Sequence, residues 1–137
     1  MGLILDSSVL IQAERTSETI AQLLNKVVNL TGDQETALSA IALVELAHGI
    51  HRANTMTVRK RRELFIQELL ADVPVYPFTQ QIAPLAGQVD AEQQKQDTKI
   101  PFQDLLIGST ALHLGYAVVT GNPRHFQMIL NLTVKLL

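Results

Sequence analysis

The sequence contains no cysteine and no tryptophan, and its aromatic side chains are limited to two tyrosines and four phenylalanines. Without cysteine the chain can form neither disulfides nor thiolate zinc sites, and it has no thiol nucleophile. So few aromatic rings argue against a stacking platform for nucleic-acid bases. No apolar run approaches the roughly 18 residues of a membrane span, and no basic lead-in marks a secretory signal. We therefore expect a cytoplasmic protein.

The pattern of apolar residues predicts strands and helices in alternation. A chain of 137 residues is about one domain long, and no linker or repeat divides residues 1–137. We predict strands over 3–5, 35–38, 73–78, 116–121 and 132–137, and helices that begin at Ser7 or Ser8 and span 18–30, 40–53, 56–71, 79–96 and 102–114. This alternation predicts a three-layer α/β/α sandwich with a central, mainly parallel sheet.

Two segments near strand ends carry more detailed expectations. Ser39 is a good N-cap for the helix over 40–53, and Leu43, Ala47 and Ile50 are predicted to form its buried stripe. The segment "NPRHF" at 122–126 predicts a short helical turn after a strand. Since ligands of such sheets collect beyond the carboxyl ends of the strands, these regions are candidate site positions.

Three of the thirteen acidic residues lie in apolar surroundings. Asp6 is in "LILDSSVLI", Glu45 in "AIALVELAHGI" and Asp104 in "IPFQDLLIGSTAL". Burying an unpaired carboxylate is costly, and these segments offer no lysine or arginine as a partner. A hard divalent cation with oxygen ligands, Mg²⁺ or Mn²⁺, would offset the charge. Asp6 and Asp104 also fit helix caps, but Glu45 lies in mid-helix and caps nothing, which favours a site.

The order of three segments resembles a known family. "LILDSSVLI", "SAIALVELAHGI" and "IPFQDLLIGSTALHLGYAVVTGNPRHF" together look like a PIN domain, and most of all like the VapC-like toxins of type II toxin–antitoxin systems. The resemblance runs from residue 3 to about residue 135. It implies a PIN-like fold and a Mg²⁺- or Mn²⁺-dependent endoribonuclease that hydrolyses RNA phosphodiester bonds in a prokaryotic cytoplasm.

The resemblance also implies roles for individual residues. Four side chains would hold the metal and carry catalysis: Asp6, Glu45, Asp104 and Asn122. Ser8 matches a small polar position two places beyond the first aspartate, and Thr120 would support the loop that bears the fourth ligand. The chain departs from the family at His125, which precedes Phe126 where many members have an acid. His125 is either a substitute ligand or a sign of weaker binding of a second metal.

A basic cluster at residues 59–62 is the only dense one in the chain. Acids attract metal but repel phosphates, so RNA would need separate cations, and Arg52, Arg59 and Arg62 are the candidates for binding its backbone. Arg52 lies two helical turns after Glu45. The alternative for the cluster is a solvated helix face.

Partners follow from the resemblance as well. It implies an RNA substrate, a homodimer, and a cognate antitoxin protein that lays a peptide into the acidic groove. Phe65, Ile66 and Leu69 in the helix over 56–71 fit either a dimer contact or the core.

Two other functions stay open at this point. A PIN-like scaffold that binds nucleic acid or protein without cutting would fit Asn122 and His125. A DNA-directed protein that acts with a DNA-binding antitoxin as a repressor is an intermediate possibility.

Overall fold

The centre of the molecule is a sheet of five parallel strands in the order β3-β2-β1-β4-β5. The computed structural model describes all 137 residues, Met1 to Leu137. The strands are β1 (Gly2–Leu5), β2 (Glu35–Ser39), β3 (Val75–Tyr76), β4 (Ala117–Thr120) and β5 (Val134–Leu136). Because β1 pairs with both β2 and β4, the carboxyl ends of these three strands meet at one edge.

Six helices connect the strands. They are α1 (Ser7–Arg15), α2 (Ile20–Thr31), α3 (Ala40–His51), α4 (Met56–Asp72), α5 (Ile82–Lys95) and α6 (Phe102–Leu114), and a 3₁₀ turn follows at Phe126–Met128. None of the helices combines the length and the apolarity that a membrane crossing needs.

The helices cover both faces of the sheet. Along β1, Leu3 and Leu5 enter the core formed with α1, α2 and α4, whereas Ile4 enters the core formed with α6. The short β1 strand is therefore buried on both faces, which explains its unbroken run of apolar residues. Helix α5 lies on α6 and shares a third apolar cluster with it. The predicted three-layer α/β/α sandwich is confirmed.

Helix boundaries follow local capping. Thr19 forms a reciprocal capping box with Gln22 at the start of α2, and Ser39 accepts a hydrogen bond from the amide of Ile41 at the start of α3, as predicted. Gly115 ends α6 in the left-handed conformation, with φ of 72°, which glycine adopts without steric cost.

Several sequence-based boundaries were too wide. The predicted strand over 73–78 shrinks to two residues, since Pro74 and Pro77 flank it and neither has an N–H for a ladder. The predicted helical turn at 122–126 is present: the amide of Gln127 donates to the carbonyl of Pro123 at 3.0 Å, and the 3₁₀ turn at Phe126–Met128 continues it. Just before it, the amides of Gly121 and Asn122 donate to side-chain oxygens.

The predicted buried stripe of α3 was wrong at Ala47, which is exposed. The buried residues of α3 are Ala42 and Leu46, which contribute to the two different cores. Because residues 40–44 and 46–47 are all apolar, the pattern does not indicate which face of this helix is buried.

The apolar residues of α4 have a clear location. Phe65 and Leu69 are buried in the core, and Ile66 packs against the same cluster. Phe65 and Leu69 therefore belong to the core, the second of the two alternatives, and they help to hold α4 on the sheet.

Two helix glycines provide a matched test of packing. In α6, a Cβ at Gly108 would overlap the side chain of Ile129, whereas in α5 a Cβ at Gly87 would meet no atom within 4 Å. We expect Gly108→Ala to lower the free energy of unfolding by about 1–3 kcal/mol through overpacking. Gly87→Ala should raise it by about 0.5–1 kcal/mol through helix propensity. Urea unfolding measures both, and equal effects of the two substitutions would contradict this packing.

Candidate active site

The carboxyl edge of the sheet carries a cavity of about 420 Å³ that contains all four predicted metal-binding side chains: Asp6, Glu45, Asp104 and Asn122. They come from four separate segments. Asp6 follows β1, Glu45 lies in the second turn of α3, Asp104 in the first turn of α6, and Asn122 in the loop after β4. The parallel sheet places these segments side by side.

Asp6 is 5% exposed and is held by hydroxyl groups. Its Oδ2 accepts hydrogen bonds from Ser8 Oγ at 2.8 Å and from Thr120 Oγ1 at 2.8 Å, while Oδ1 has only a 3.4 Å contact with Ser7 Oγ. Although Asp6 occupies the N-cap position of α1, its side chain makes no capping hydrogen bond. The helix-cap alternative for Asp6 therefore fails.

Ser8 and Thr120 extend this network into the loop after β4. Ser8 Oγ accepts from the amide of Gly121 at 3.1 Å, and Thr120 Oγ1 accepts from the amide of Asn122 at 3.0 Å. The two hydroxyls lie 3.3 Å apart. Each one donates to Asp6 and receives from the loop, so the carboxylate and the backbone of Asn122 are fixed relative to one another.

Glu45 and Asp104 are each held through a single oxygen. Glu45 Oε2 accepts from Ser7 Oγ at 2.5 Å and from Gln103 Nε2 at 3.1 Å. Asp104 Oδ2 lies 3.1 Å from His125 Nδ1. In both residues the second carboxylate oxygen makes no hydrogen bond to protein and is available to a ligand.

The negative charges of the acids repel one another. The pKa of Asp104 is raised above its ordinary value, chiefly because burial disfavours the charged form and because Asp6 is nearby. Glu45 adds a smaller effect in the same direction, and the hydrogen bond and charge of His125 oppose it. No lysine or arginine lies within ion-pair distance of these carboxylates.

The donor set fits a hard cation that keeps part of its water. Nowhere in the chain do three Asp, Glu or His side chains lie close enough together to ligate one ion directly. Mg²⁺ typically takes one or two protein carboxylates and retains several waters. Carboxylate oxygens left free on neighbouring segments meet that requirement, whereas a closed site of four protein ligands, typical of structural zinc, does not form.

The predicted arginines lie away from the acids. Arg52 caps the carboxyl end of α3 and borders a second cavity. Arg59 pairs with Glu63 at 3.3 Å, and Arg62 lies 3.7 Å from Glu14. Sequence reasoning missed Arg15, which borders both the acidic cavity and the second one.

Sequence reasoning also missed Ser7 and Gln103, the two residues that orient Glu45. Both are direct sequence neighbours of a predicted ligand, and that adjacency was the available signal. For Arg15 the sequence held no such signal, because an arginine at the end of a helix looks like an ordinary surface residue.

The family assignment follows from comparison with known proteins. The family model of the PIN domain matches residues 3–129, and the chain belongs to this family. The resemblance found in the sequence is thereby confirmed.

Individual relatives are VapC proteins. Ribonuclease VapC1 from Rickettsia felis is 29% identical over 134 residues, which make up 98% of this chain and 95% of the relative. A chain in the structure of VapBC2 from Rickettsia felis, bound to a DNA fragment from its promoter, has a TM-score of 0.87 at 22% identity and covers 100% of this chain and 99% of that one. For VapBC-1 from nontypeable Haemophilus influenzae the TM-score is 0.82 at 25% identity, with 99% and 98% covered.

The burial and mutual repulsion of the acids predict that the site lowers the stability of the metal-free fold. Because the folded pKa of Asp104 is raised, its ionisation destabilises the fold as pH rises. We expect Asp104→Asn to raise the melting temperature of the metal-free protein at neutral pH. The gain should shrink as pH falls and vanish below the ordinary value of 3.8, where the carboxyl becomes protonated in the unfolded as well as in the folded state. Thermal unfolding in EDTA measures this, with Asp33→Asn at an exposed position as control; a lower melting temperature for Asp104→Asn contradicts it.

His125 should hold down the pKa of Asp104. We expect His125→Ala to raise this pKa further in the metal-free protein, since both the hydrogen bond and the positive charge are lost. His125→Gln keeps a hydrogen-bond donor without the charge and should give a smaller rise. Carboxyl ¹³C NMR titration follows Asp104 directly. An unchanged pKa in both variants would contradict the contact.

Proposed function

We propose that the chain, acting as one domain over residues 1–137, is a metal-dependent endoribonuclease and the toxin of a type II toxin–antitoxin pair. The observation that carries this proposal is the convergence of Asp6, Glu45, Asp104 and Asn122 on one cavity of a PIN domain. The similarity to a ribonuclease VapC1 supports RNA as substrate. The reaction would be hydrolysis of phosphodiester bonds.

The metal would be Mg²⁺ or Mn²⁺ in the cavity of Asp6, Glu45, Asp104 and Asn122. One or two of the carboxylates would hold it directly and the other side chains through its retained waters. Such an ion lowers the pKa of a bound water and stabilises charge on the phosphate in the transition state. The carboxylate oxygens that make no protein hydrogen bond are the ones offered to it. The oxygen-only donor set favours these hard cations over zinc.

The surrounding side chains would act by fixing the ligands. Ser8 and Thr120 hold one oxygen of Asp6, and His125 holds one oxygen of Asp104. Such supporting contacts commonly change metal affinity or activity about 10- to 100-fold when removed. Thus His125 serves as an orienting residue in this proposal, in a place where many family members have an acid.

RNA would be attracted by cations outside the acidic cavity. Arg52 borders the adjoining cavity and is the strongest of the three predicted substrate-binding arginines. Arg59 and Arg62 are already paired with Glu63 and Glu14, so their charge contributes to the field around the site more than to direct contacts.

The proposed partners are a cognate antitoxin and a second copy of the chain. Solved VapBC structures among the neighbours support an antitoxin. A surface beside Glu45 supports self-association: Val44 is 66% exposed and Phe102 70% exposed, and both line a shallow apolar depression with Ile41 and Leu106.

A non-cleaving binding module is the second candidate. An amide at Asn122 and an imidazole bonded to Asp104 reduce the negative charge of the site. Weak metal binding would leave a PIN scaffold that recognises nucleic acid or protein without hydrolysis.

The decisive experiment is cleavage of a structured RNA pool by the purified, antitoxin-free chain. We expect cleavage with Mg²⁺ or Mn²⁺ and none with EDTA. Asp6→Asn, Glu45→Gln and Asp104→Asn should each lower the rate by more than about 100-fold, because each removes a proposed ligand charge.

Asp33→Asn is the matched control, since Asp33 is exposed and lies outside the acidic cavity. It should cleave like the native chain. Absence of cleavage by a folded native chain, together with retained RNA binding, would overturn the nuclease proposal in favour of the binding module.

A further inference from the structure

A second cavity adjoins the acidic one, between α1, α3 and α4. Its volume is about 350 Å³. It shares Ile11, Arg15 and Glu45 with the acidic cavity, so the two form a continuous depression. Whatever occupies the acidic cavity can therefore extend into this one without leaving the protein surface.

One wall of the second cavity is a fixed arginine. Arg62 lies 3.7 Å from Glu14 Oε1 through its Nε and donates through Nη1 to the carbonyl of Gly49. Arg61 also donates to Glu14 Oε1, at 3.0 Å. These contacts join α1, α3 and α4 along one side of the cavity.

Two other arginines at the cavity have no partner. Arg15, at the end of α1, and Arg52, at the end of α3, both line it. Neither makes an ion pair. Two unpaired guanidinium groups facing one depression are suited to an anion, and the planar fork of arginine matches phosphate oxygens.

Glu14 supplies a hydrogen-bond acceptor in the same cavity. Its side chain is 8% exposed, and its Oε1 is occupied by Arg61. Oε2 makes no hydrogen bond. It is also not fully buried, because Ser109 Oγ is the only fully buried side-chain polar atom without a partner. Oε2 therefore opens onto the cavity as an unused acceptor on a largely buried carboxylate.

The rest of the lining is mixed. Ile11, Leu46, Phe65 and Ile66 are its apolar part, and Glu45, His48, Gly49 and Asn54 complete it. The cavity thus combines unpaired cations, hydrogen-bonding groups and an apolar surface. A nucleotide has the matching parts: a phosphate, a base edge with donors, and an apolar base face.

We propose that this second cavity binds one nucleotide of the RNA that flanks the scissile phosphate. Arg15 and Arg52 contact its phosphate, and Glu14 Oε2 accepts a hydrogen bond from an exocyclic amino group of its base. The proposal rests on the ribonuclease function and names a substrate subsite for it. It makes Glu14 a determinant of base preference, since carboxylates accept from amino groups such as that of cytosine.

An RNA strand fits the arrangement better than an acidic peptide. Arg15 borders both cavities, so a chain carrying one charge per nucleotide passes from the cleavage site to the arginines without a break. An acidic peptide would place carboxylates against Glu14, where the base of a nucleotide offers an amino donor.

The first test is binding of fluorescein-labelled RNA octamers, A₈, C₈ and U₈, measured by anisotropy in EDTA so that cleavage does not interfere. Arg15→Gln and Arg52→Gln should each weaken binding about tenfold, the size of a lost charge-assisted hydrogen bond. The slope of log affinity against log salt should fall by about 0.7 for each lost phosphate contact. Lys95→Gln, at the end of α5 and outside both cavities, should change neither quantity.

The second test concerns the base. The native chain should bind A₈ or C₈, which carry exocyclic amino groups, about tenfold more tightly than U₈, a typical discrimination for one good base contact. Glu14→Gln preserves side-chain size and offers a donor as well as an acceptor, so it should remove this preference. Its melting temperature, compared with that of the native chain, verifies that α1 and α4 remain packed.

Two results would overturn the subsite. One is unchanged RNA affinity and salt slope in both arginine variants. The other is loss of binding to an octa-glutamate peptide in those variants with RNA binding intact, which would assign the cavity to an acidic protein partner. These readouts need no cleavage, so a failure of the subsite is distinct from a failure of the ribonuclease proposal, which the metal-dependent assay tests.

Discussion

The structure around the site depends on one buried carboxylate held by two hydroxyls. Asp6 Oδ2 accepts from Ser8 in α1 and from Thr120 at the end of β4. Since the same hydroxyls accept the amides of Gly121 and Asn122, the carboxylate organises the loop that carries the fourth proposed ligand. A buried charge is tolerated when it is hydrogen-bonded, and here those bonds also set the geometry of the cavity.

The same arrangement has an energetic cost. Burial and the neighbouring acids raise the pKa of Asp104, and only His125 opposes them. Without a cation, the ionised form of this carboxylate is disfavoured in the folded chain. The site is thus a place where the fold gives up stability for binding. His125 offsets part of the repulsion where an additional acid would increase it.

Much of the fold and of the acidic site was predictable because both depend on local patterns. Apolar runs located the strands, Ser39 marked the start of α3, and Asp6, Glu45 and Asp104 were conspicuous among apolar neighbours. The second cavity was not predictable, because Glu14, Arg15 and Arg61 look like ordinary surface residues of amphipathic helices. Their meaning depends on how α1 packs against α4, and no periodicity encodes that packing. In α3 the reverse problem arose, since the run of apolar residues around Glu45 concealed which face is buried.

Helix α1 connects the acidic cavity to the second cavity. Its amino end presents Ser7 and Ser8 to the carboxylates, and its carboxyl end presents Glu14 and Arg15 to the second cavity. The nine residue steps from Asp6 to Arg15 correspond to roughly 13 Å along a helix axis. This separation is set by a stiff α-helix whose buried side chains pack into the core, so it does not depend on loop motion. In the proposed function, this single short element holds the metal-binding acids and the unpaired Arg15 at a fixed spacing. Metal and phosphate, which are attracted to opposite charges, would then be bound side by side.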